Sequence, residues 1–272
     1  MQNLLTTVGL EITNYCNLNC IHCYEGELKC NKHLCLETIE AVINKVTRFS
    51  PQFFVITGGE PFLHPQIKDI LIALGKRFAS HKFVIATNGT LINEEIVNIL
   101  RNYENISIQI SLDGATERTH NLQHGNSFSR VMNAIDLVTQ QLSLDRISLQ
   151  MTVSKINYRE CIDVAEFAKS KGIEVKFQYI CMVGNAVKNK DLLYMSALQK
   201  TSTYLKLKEY QNNNPDVKAN APKTLLSCSF EDINTPLSLN IDIHGNVVTC
   251  TCFDSSFSLI SFQYTNAIFT NV

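Results

Sequence analysis

Three cysteines spaced Cys16-x3-Cys20-x2-Cys23 follow a strand-like run, Leu10-Glu11-Ile12-Thr13. Three thiolates this close can hold three corners of a cubane iron–sulfur cluster, which takes four protein ligands in ordinary electron carriers. One iron is then open to bind and activate a ligand. The thiols also carry a second reading, since Cys20-x2-Cys23 with Cys30-x4-Cys35 would suit a tetrahedral zinc site. Three further segments are polar and rich in glycine: Thr57-Gly58-Gly59-Glu60-Pro61, Thr87-Asn88-Gly89-Thr90 and Ser111-Leu112-Asp113-Gly114. Gly58 and Gly59 allow a ligand close to the backbone. Glu60 can accept a hydrogen bond from a ligand ammonium group, while Asn88 and Ser111 offer contacts to a ribose or carboxylate. A ligand with both an amine and a carboxylate could chelate the open iron and be held by these loops. Zinc would leave those three loops unexplained, and Cys30 and Cys35 then read as ordinary thiols.

The elements that must position these residues are legible as alternating periods. Strands are expected at Val8–Ile12, Phe53–Ile56, Phe83–Ala86, Ile106–Ser111, Ile147–Val153 and Val175–Ile180. Helical segments lie between them near Leu36–Phe49, Pro65–Ala79, Asn93–Asn102, Phe128–Leu142 and Tyr158–Lys171, the last closed by Gly172. Strand and helix repeated in this way imply parallel strands with right-handed crossovers. The expected fold is α/β, a partial (β/α)6 TIM-like barrel over residues 1–186. In such a barrel the cysteine segment and the three polar loops all open at the carboxyl-terminal mouth, where active sites are built. The rhythm fails after Ile180. A polar stretch, Gly184–Lys190, leads to a helix expected at Leu192–Tyr210 and a loop at Asn212-Asn213-Asn214-Pro215. A hairpin is expected at Leu237–Ile243 and Val247–Cys250, within a small C-terminal extension spanning 187–272.

Composition narrows the function classes. Lys and Arg total 24 against 25 Asp and Glu, so no strong field invites nucleic acid or an anionic membrane. No stretch approaches the ~20 apolar residues of a membrane span, and no secretory signal opens the chain. Ten cysteines without such a signal argue for reduced thiols in a cytoplasmic protein and for metal ligation over disulfides. Cys16, Cys20, Cys23, Cys30 and Cys35 crowd one end, while Cys228, Cys250 and Cys252 crowd the other.

The cysteine motif followed in order by Gly58-Gly59-Glu60-Pro61, Thr87-Asn88-Gly89 and Ser111-Leu112-Asp113-Gly114 resembles the radical S-adenosylmethionine (SAM) superfamily over residues 8–186. The resemblance implies that Cys16, Cys20 and Cys23 ligate a [4Fe-4S] cluster whose fourth iron is chelated by SAM. Gly58, Gly59 and Glu60 would contact the methionyl amine, and Asn88, Ser111 and Asp113 would complete the cofactor site. Cleavage of SAM by the reduced cluster would yield a 5′-deoxyadenosyl radical that abstracts a substrate hydrogen. The segment Glu117–Phe128 resembles the SPASM/twitch group, where His-Asp-x-x-Arg-Gly-x-Gly-Ser-Phe is frequent. This chain has Asn121 and His124 at the Asp and Arg positions, with His120 beside them. Cys228 and Gly245-x4-Cys250, with Cys252, resemble that group's auxiliary-cluster hairpin, though no cysteine follows Cys252.

The expected function is therefore hydrogen abstraction from a ribosomally made peptide, for crosslinking or epimerisation. A small metabolite as substrate and a non-catalytic Fe–S or zinc protein are the alternatives. Cys181, at the end of the sixth strand, faces the barrel mouth and is a candidate hydrogen donor. An electron donor such as flavodoxin or ferredoxin is implied. Only about eight residues precede the first strand, so leader recognition falls to a separate protein or to the C-terminal region.

Overall fold

The computed structural model describes residues 5–26, 31–222, 237–244 and 246–248. Its strands are β1 (Leu5–Thr13), β2 (Phe53–Gly58), β3 (Phe83–Thr87), β4 (Ile106–Ser111), β5 (Ile147–Val153), β6 (Glu174–Tyr179), β7 (Ala219–Asn220), β8 (Leu237–Ile241) and β9 (Val247–Val248). They form one sheet in the order β7-β6-β5-β4-β3-β2-β1-β8-β9. Every neighbouring pair is parallel except β8 with β9. The six strands expected from the alternating pattern are all present. Two more parallel strands extend them, one at each side: the short β7 beside β6, and β8 beside β1. The expected hairpin thus exists as β8–β9 but joins the main sheet. The sheet does not close, because β7 and β9 occupy its two ends.

The strand sequences explain the layering. Leu10, Ile12, Phe54, Ile56, Ile85, Ile108, Leu149 and Val175 point to one face and are fully or almost fully buried. Helices cover that face: α1 (Leu36–Thr47), α2 (Ile67–Arg77), α3 (Glu94–Leu100), α4 (Glu117–His124), α5 (Phe128–Gln141) and α6 (Cys161–Lys171), with α7 (Asn185–Lys188), α8 (Lys190–Leu193) and α9 (Ala197–Asn213) following β6. The alternate residues Thr57, Ala86, Gln109, Ser111, Gln150, Thr152 and Gln178 face the other way and are only partly buried or exposed. A closed barrel would fill this inner face with branched apolar side chains. Here the face is polar along β4 to β6, with Val55, Val84 and Ala86 on β2 and β3, and at the strand ends it lines an open cleft.

Local signals set several helix ends. Asn93 accepts from Ile96 N to cap α3, and Ser196 with Gln199 forms a reciprocal capping box that starts α9. The helix expected from Leu192 is therefore split, with α8 ending at Leu193 and α9 starting at Ala197. Helix α4 is absent from the expected elements; Thr116 caps it, and Asn121 Oδ1 accepts from Ser127 N and Phe128 N to start α5. The boundary expected between residues 186 and 187 falls inside α7. The buried Arg146 ties the lower ends of two units together, donating to the carbonyls of Leu100, Tyr103 and Ile106. Among the described residues no helix is long and apolar enough to cross a membrane.

Candidate active site

The three motif cysteines lie on the loop that leaves β1. Cys16, Cys20 and Cys23 are in no disulfide, each is partly buried, and all three line one cavity of about 350 Å³. Gly58, Gly59, Asn88, Ser111 and Cys181 line the same cavity, so loops after β1, β2, β3, β4 and β6 converge there. The expected gathering at the strand carboxyl ends is what the fold produces.

The glycine pair is held more tightly than a purely ligand-facing loop requires. Gly59 N donates to Thr13 O at 2.7 Å and Glu60 N donates to Tyr15 O at 2.8 Å. Gly58 sits at φ +136°, and a Cβ there would collide with the Thr13 carbonyl oxygen. The close approach that demands glycine is thus partly to the backbone entering the cysteine loop.

Two expected cofactor contacts do not reach the cavity. The Glu60 side chain is fully buried, and its Oε1 accepts from Phe62 N (3.1 Å) and Thr87 Oγ1 (2.7 Å). Its Oε2 accepts from Asn88 N at 2.7 Å. Burial raises the carboxyl to about 7 against the opposing pull of those donors. Glu60 therefore braces the loop after β3, and its buried carboxyl is not among the groups lining the cavity. Asp113 is 1% exposed. Its Oδ2 lies 2.8 Å from His124 Nε2 and 3.3 Å from His22 Nε2, while Oδ1 accepts from Thr152 N at 2.7 Å. Asp113 holds two histidines in place of a cofactor.

Those histidines form a layer behind the thiols. His124 Nδ1 lies 3.2 Å from Cys20 Sγ. Its ring stacks on His120 at 4.7 Å between centroids and meets His22 edge-on at 4.9 Å. His120 Nδ1 accepts from Asp113 N, so its Nε2 donates to Ser127 Oγ at 3.0 Å. Burial would lower the His124 pKa, but Cys20 and Asp113 outweigh it and raise it to about 10. Burial dominates at the other two rings and lowers His22 to about 4 and His120 to about 3. Of the expected pair, only His124 reaches the cavity wall.

The site fits the expected cofactors on two observations. Polar groups already aim at the sulfurs: Leu18 N donates to Cys16 Sγ at 3.4 Å, Asn88 Nδ2 approaches it at 3.9 Å, and His124 stands beside Cys20. Hydrogen bonds to ligating sulfurs are a usual feature of iron–sulfur sites. Without iron, burial pushes the Cys23 thiol up to about 11, aided by Cys20 and Cys16, so three adjacent thiolates need a cation. Second, His22 Nδ1 is buried without a hydrogen-bond partner among the described residues and belongs to a residue lining the cavity. Its Nε2 faces the Asp113 carboxylate, so Nδ1 presents a lone pair to a ligand N–H or O–H.

His22, Tyr24, Glu25, Thr57, Thr152 and Gln178 also line the cavity and were not singled out from the sequence. Position within the cysteine loop, or alternation at a strand end, was the available signal. Cys35 is exposed, with Sγ 3.1 Å from Thr38 Oγ1, and is not among the residues lining the cavity. Cys30, Cys228, Cys250 and Cys252 lie outside the described residues.

Comparison with known proteins agrees with this geometry. A family model described as the Radical SAM superfamily matches residues 10–168. An AdoMet-dependent heme synthase of Methanosarcina barkeri is 32% identical over 176 residues, covering 63% of this chain and 49% of the relative. The antilisterial bacteriocin subtilosin biosynthesis protein AlbA of Bacillus subtilis is 31% identical over 173 residues, covering 62% of this chain and 38% of the relative. The chain thus spans half or less of the length of these relatives. The crystal structure of Streptococcus suis SuiB bound to precursor peptide SuiA superposes with a TM-score of 0.80 at 16% identity, covering 98% of this chain and 66% of that one.

Proposed function

Because the chain belongs to the radical SAM superfamily, we propose that it is an enzyme of that class whose substrate is a ribosomally made peptide. The family uses a [4Fe-4S] cluster and SAM, and when bound they supply one-electron cleavage of the sulfonium and the power to abstract hydrogen. In this reading Cys16, Cys20 and Cys23 hold the cluster. Gly58, Gly59, Asn88 and Ser111 orient SAM from the cavity wall, and His22 Nδ1 accepts from one of its N–H groups. Glu60 and Asp113 keep those groups in place from behind.

The observation that carries the peptide reading is the inner face of the sheet, partly exposed among the described residues. Beside the thiol cavity it carries hydroxyl and amide side chains on β4 to β6, among them Gln109, Ser111, Gln150, Thr152 and Gln178. Such groups suit the hydrogen-bonding edge of an extended chain. Similarity to a bacteriocin biosynthesis protein supports the same assignment. Similarity to a heme synthase favours a second reading, a small-metabolite substrate at the same initiation site. An electron donor of the flavodoxin or ferredoxin type and a separate leader-recognition protein complete the proposal.

The test is anaerobic reconstitution followed by SAM, dithionite and candidate precursor peptides encoded nearby. Deoxyadenosine should form, should vanish in Cys20→Ala, and should be accompanied by a mass or stereochemical change on a peptide. Deoxyadenosine with turnover of a metabolite and no peptide change would overturn the peptide reading. Cys181 is assigned as a hydrogen-atom donor because it lines the thiol cavity. Epimerisation would then take up solvent deuterium in the wild type and lose that label in Cys181→Ala, while deoxyadenosine still forms. Label retained in the variant would remove that role.

A further inference from the structure

The polar stretch after β6, Gly184–Lys190, has no part in the chemistry above, yet it is built against the cysteine loop. Asn185 N donates to Cys23 O at 2.9 Å, and Asn185 Nδ2 donates to Cys20 O at 3.1 Å. Asn189 Nδ2 donates to Ile21 O at 3.0 Å. Gly184 adopts φ +57°, and a Cβ there would collide with the carbonyl oxygens of Cys23 and Tyr24. The Ile21 side chain, between the second and third cysteines, packs on a small separate apolar cluster of Ile180, Ala186 and Leu193. Two side-chain amides, one backbone N–H, one close-packed glycine and one apolar socket thus meet residues 20–24 from below.

We infer that Gly184, Asn185 and Asn189 are positioning residues for the three-thiolate site. The inference rests on the reading that Cys16, Cys20 and Cys23 ligate an iron–sulfur cluster. The loop of residues 14–26 has no strand or helix to hold it; Cys23 N and Gly26 N donate within it to Cys20 O and Cys23 O, and the donors of Asn185 and Asn189 tie these carbonyls and Ile21 O to the rest of the fold. Three sulfurs around a cubane must be held to within about half an ångström. Gripping the carbonyls of Cys20, Ile21 and Cys23 fixes the backbone that carries two of those sulfurs. The same stretch begins three residues after Cys181, so that cavity-lining thiol and the cluster loop are mounted on one support. Because the asparagines are uncharged, the support adds no net charge near the cluster and acts chiefly by holding the loop's geometry.

Asn185→Asp is the discriminating variant. It keeps the side-chain volume and replaces the amide donor with an acceptor facing the Cys20 carbonyl. Wild type, Asn185→Asp and Asn189→Ala would be reconstituted anaerobically and compared for iron content and rate of iron loss to a chelator. The EPR spectrum of the reduced cluster would be recorded with and without SAM, with thermal unfolding as a folding control. Both variants should lose iron roughly tenfold faster, and their reduced-cluster spectra should change, while Asn189→Ala keeps its unfolding temperature. Unchanged iron retention and spectra in both would overturn the inference. If Asn185→Asp fails to fold, Asn189→Ala decides alone. A wild type that binds no iron and cleaves no SAM would instead defeat the cluster reading beneath it.

Discussion

Glu60 is a residue whose type was read correctly and whose direction was not. Its place after two glycines at a strand end suggested a ligand contact, but its carboxylate turns inward to three donors: Phe62 N, Thr87 Oγ1 and Asn88 N. Little in the local sequence encodes that turn, because two of the three donors come from residues 27 and 28 positions away. Glu60→Gln would present an amide N–H to at least one of those donors. We expect a loss of about 1–3 kcal/mol in denaturant unfolding, with the Thr87–Thr90 loop loosened; an unchanged midpoint would contradict the brace. His22 shows the opposite case, a residue inside the motif whose role emerges only from its unpaired Nδ1. His22→Phe should retain iron and raise the KM for SAM by roughly three- to tenfold, the worth of one ordinary hydrogen bond. Equal KM values would show that Nδ1 meets no cofactor donor.

At the scale of elements, the six central strands were legible because burial writes itself into period two. Ile106, Ile108 and Ile110 alternate with Ser107, Gln109 and Ser111, and only one face of β4 is covered by helices. Helix α4 was not legible, since Thr119, His120, Gln123 and His124 are its buried residues and no apolar stripe marks it. Strand β7 is two residues long, too short for any period to show. The glycine turn after β2 was visible, though half of its physical reason was not. Gly58→Ala places a Cβ against the Thr13 carbonyl at a φ that side chains rarely adopt. That should cost about 2 kcal/mol or more and release the loop that carries Cys16. A fall in unfolding temperature with a matching fall in bound iron would confirm the coupling, whereas loss of neither would refute it.

At the scale of the whole molecule, strand parity built an open trough in which the second faces of β4, β5 and β6 are polar, while β2 and β3 contribute Val55, Val84 and Ala86. The expected hairpin places β8 in a separate extension, whereas β8 joins the main sheet and approaches β1 so closely that a Cβ on Gly9 would collide with the Asn240 side chain. Strand β8 brings Asp242 toward a buried acidic pair, Glu11 and Glu25, next to Tyr24, whose hydroxyl donates to Glu11 Oε1 at 3.3 Å. Burial first, and Glu25 second, push Glu11 up to about 7. Folded protein therefore keeps a proton on Glu11 that the unfolded chain releases near its ordinary value of 4.5. Stability from this group is present at low pH and is lost as pH rises through the window from about 4.5 to about 7. Between pH ~6 and pH ~8 the loss should be about 1 kcal/mol. Glu11→Gln keeps a neutral group at every pH, so its unfolding free energy should lose that difference and exceed the wild type's at the higher pH. The comparison should use iron-loaded protein at matched ionic strength. Identical pH dependence in the two proteins would mean that Glu11 is ionised in the fold and that Glu25 alone holds the shared proton.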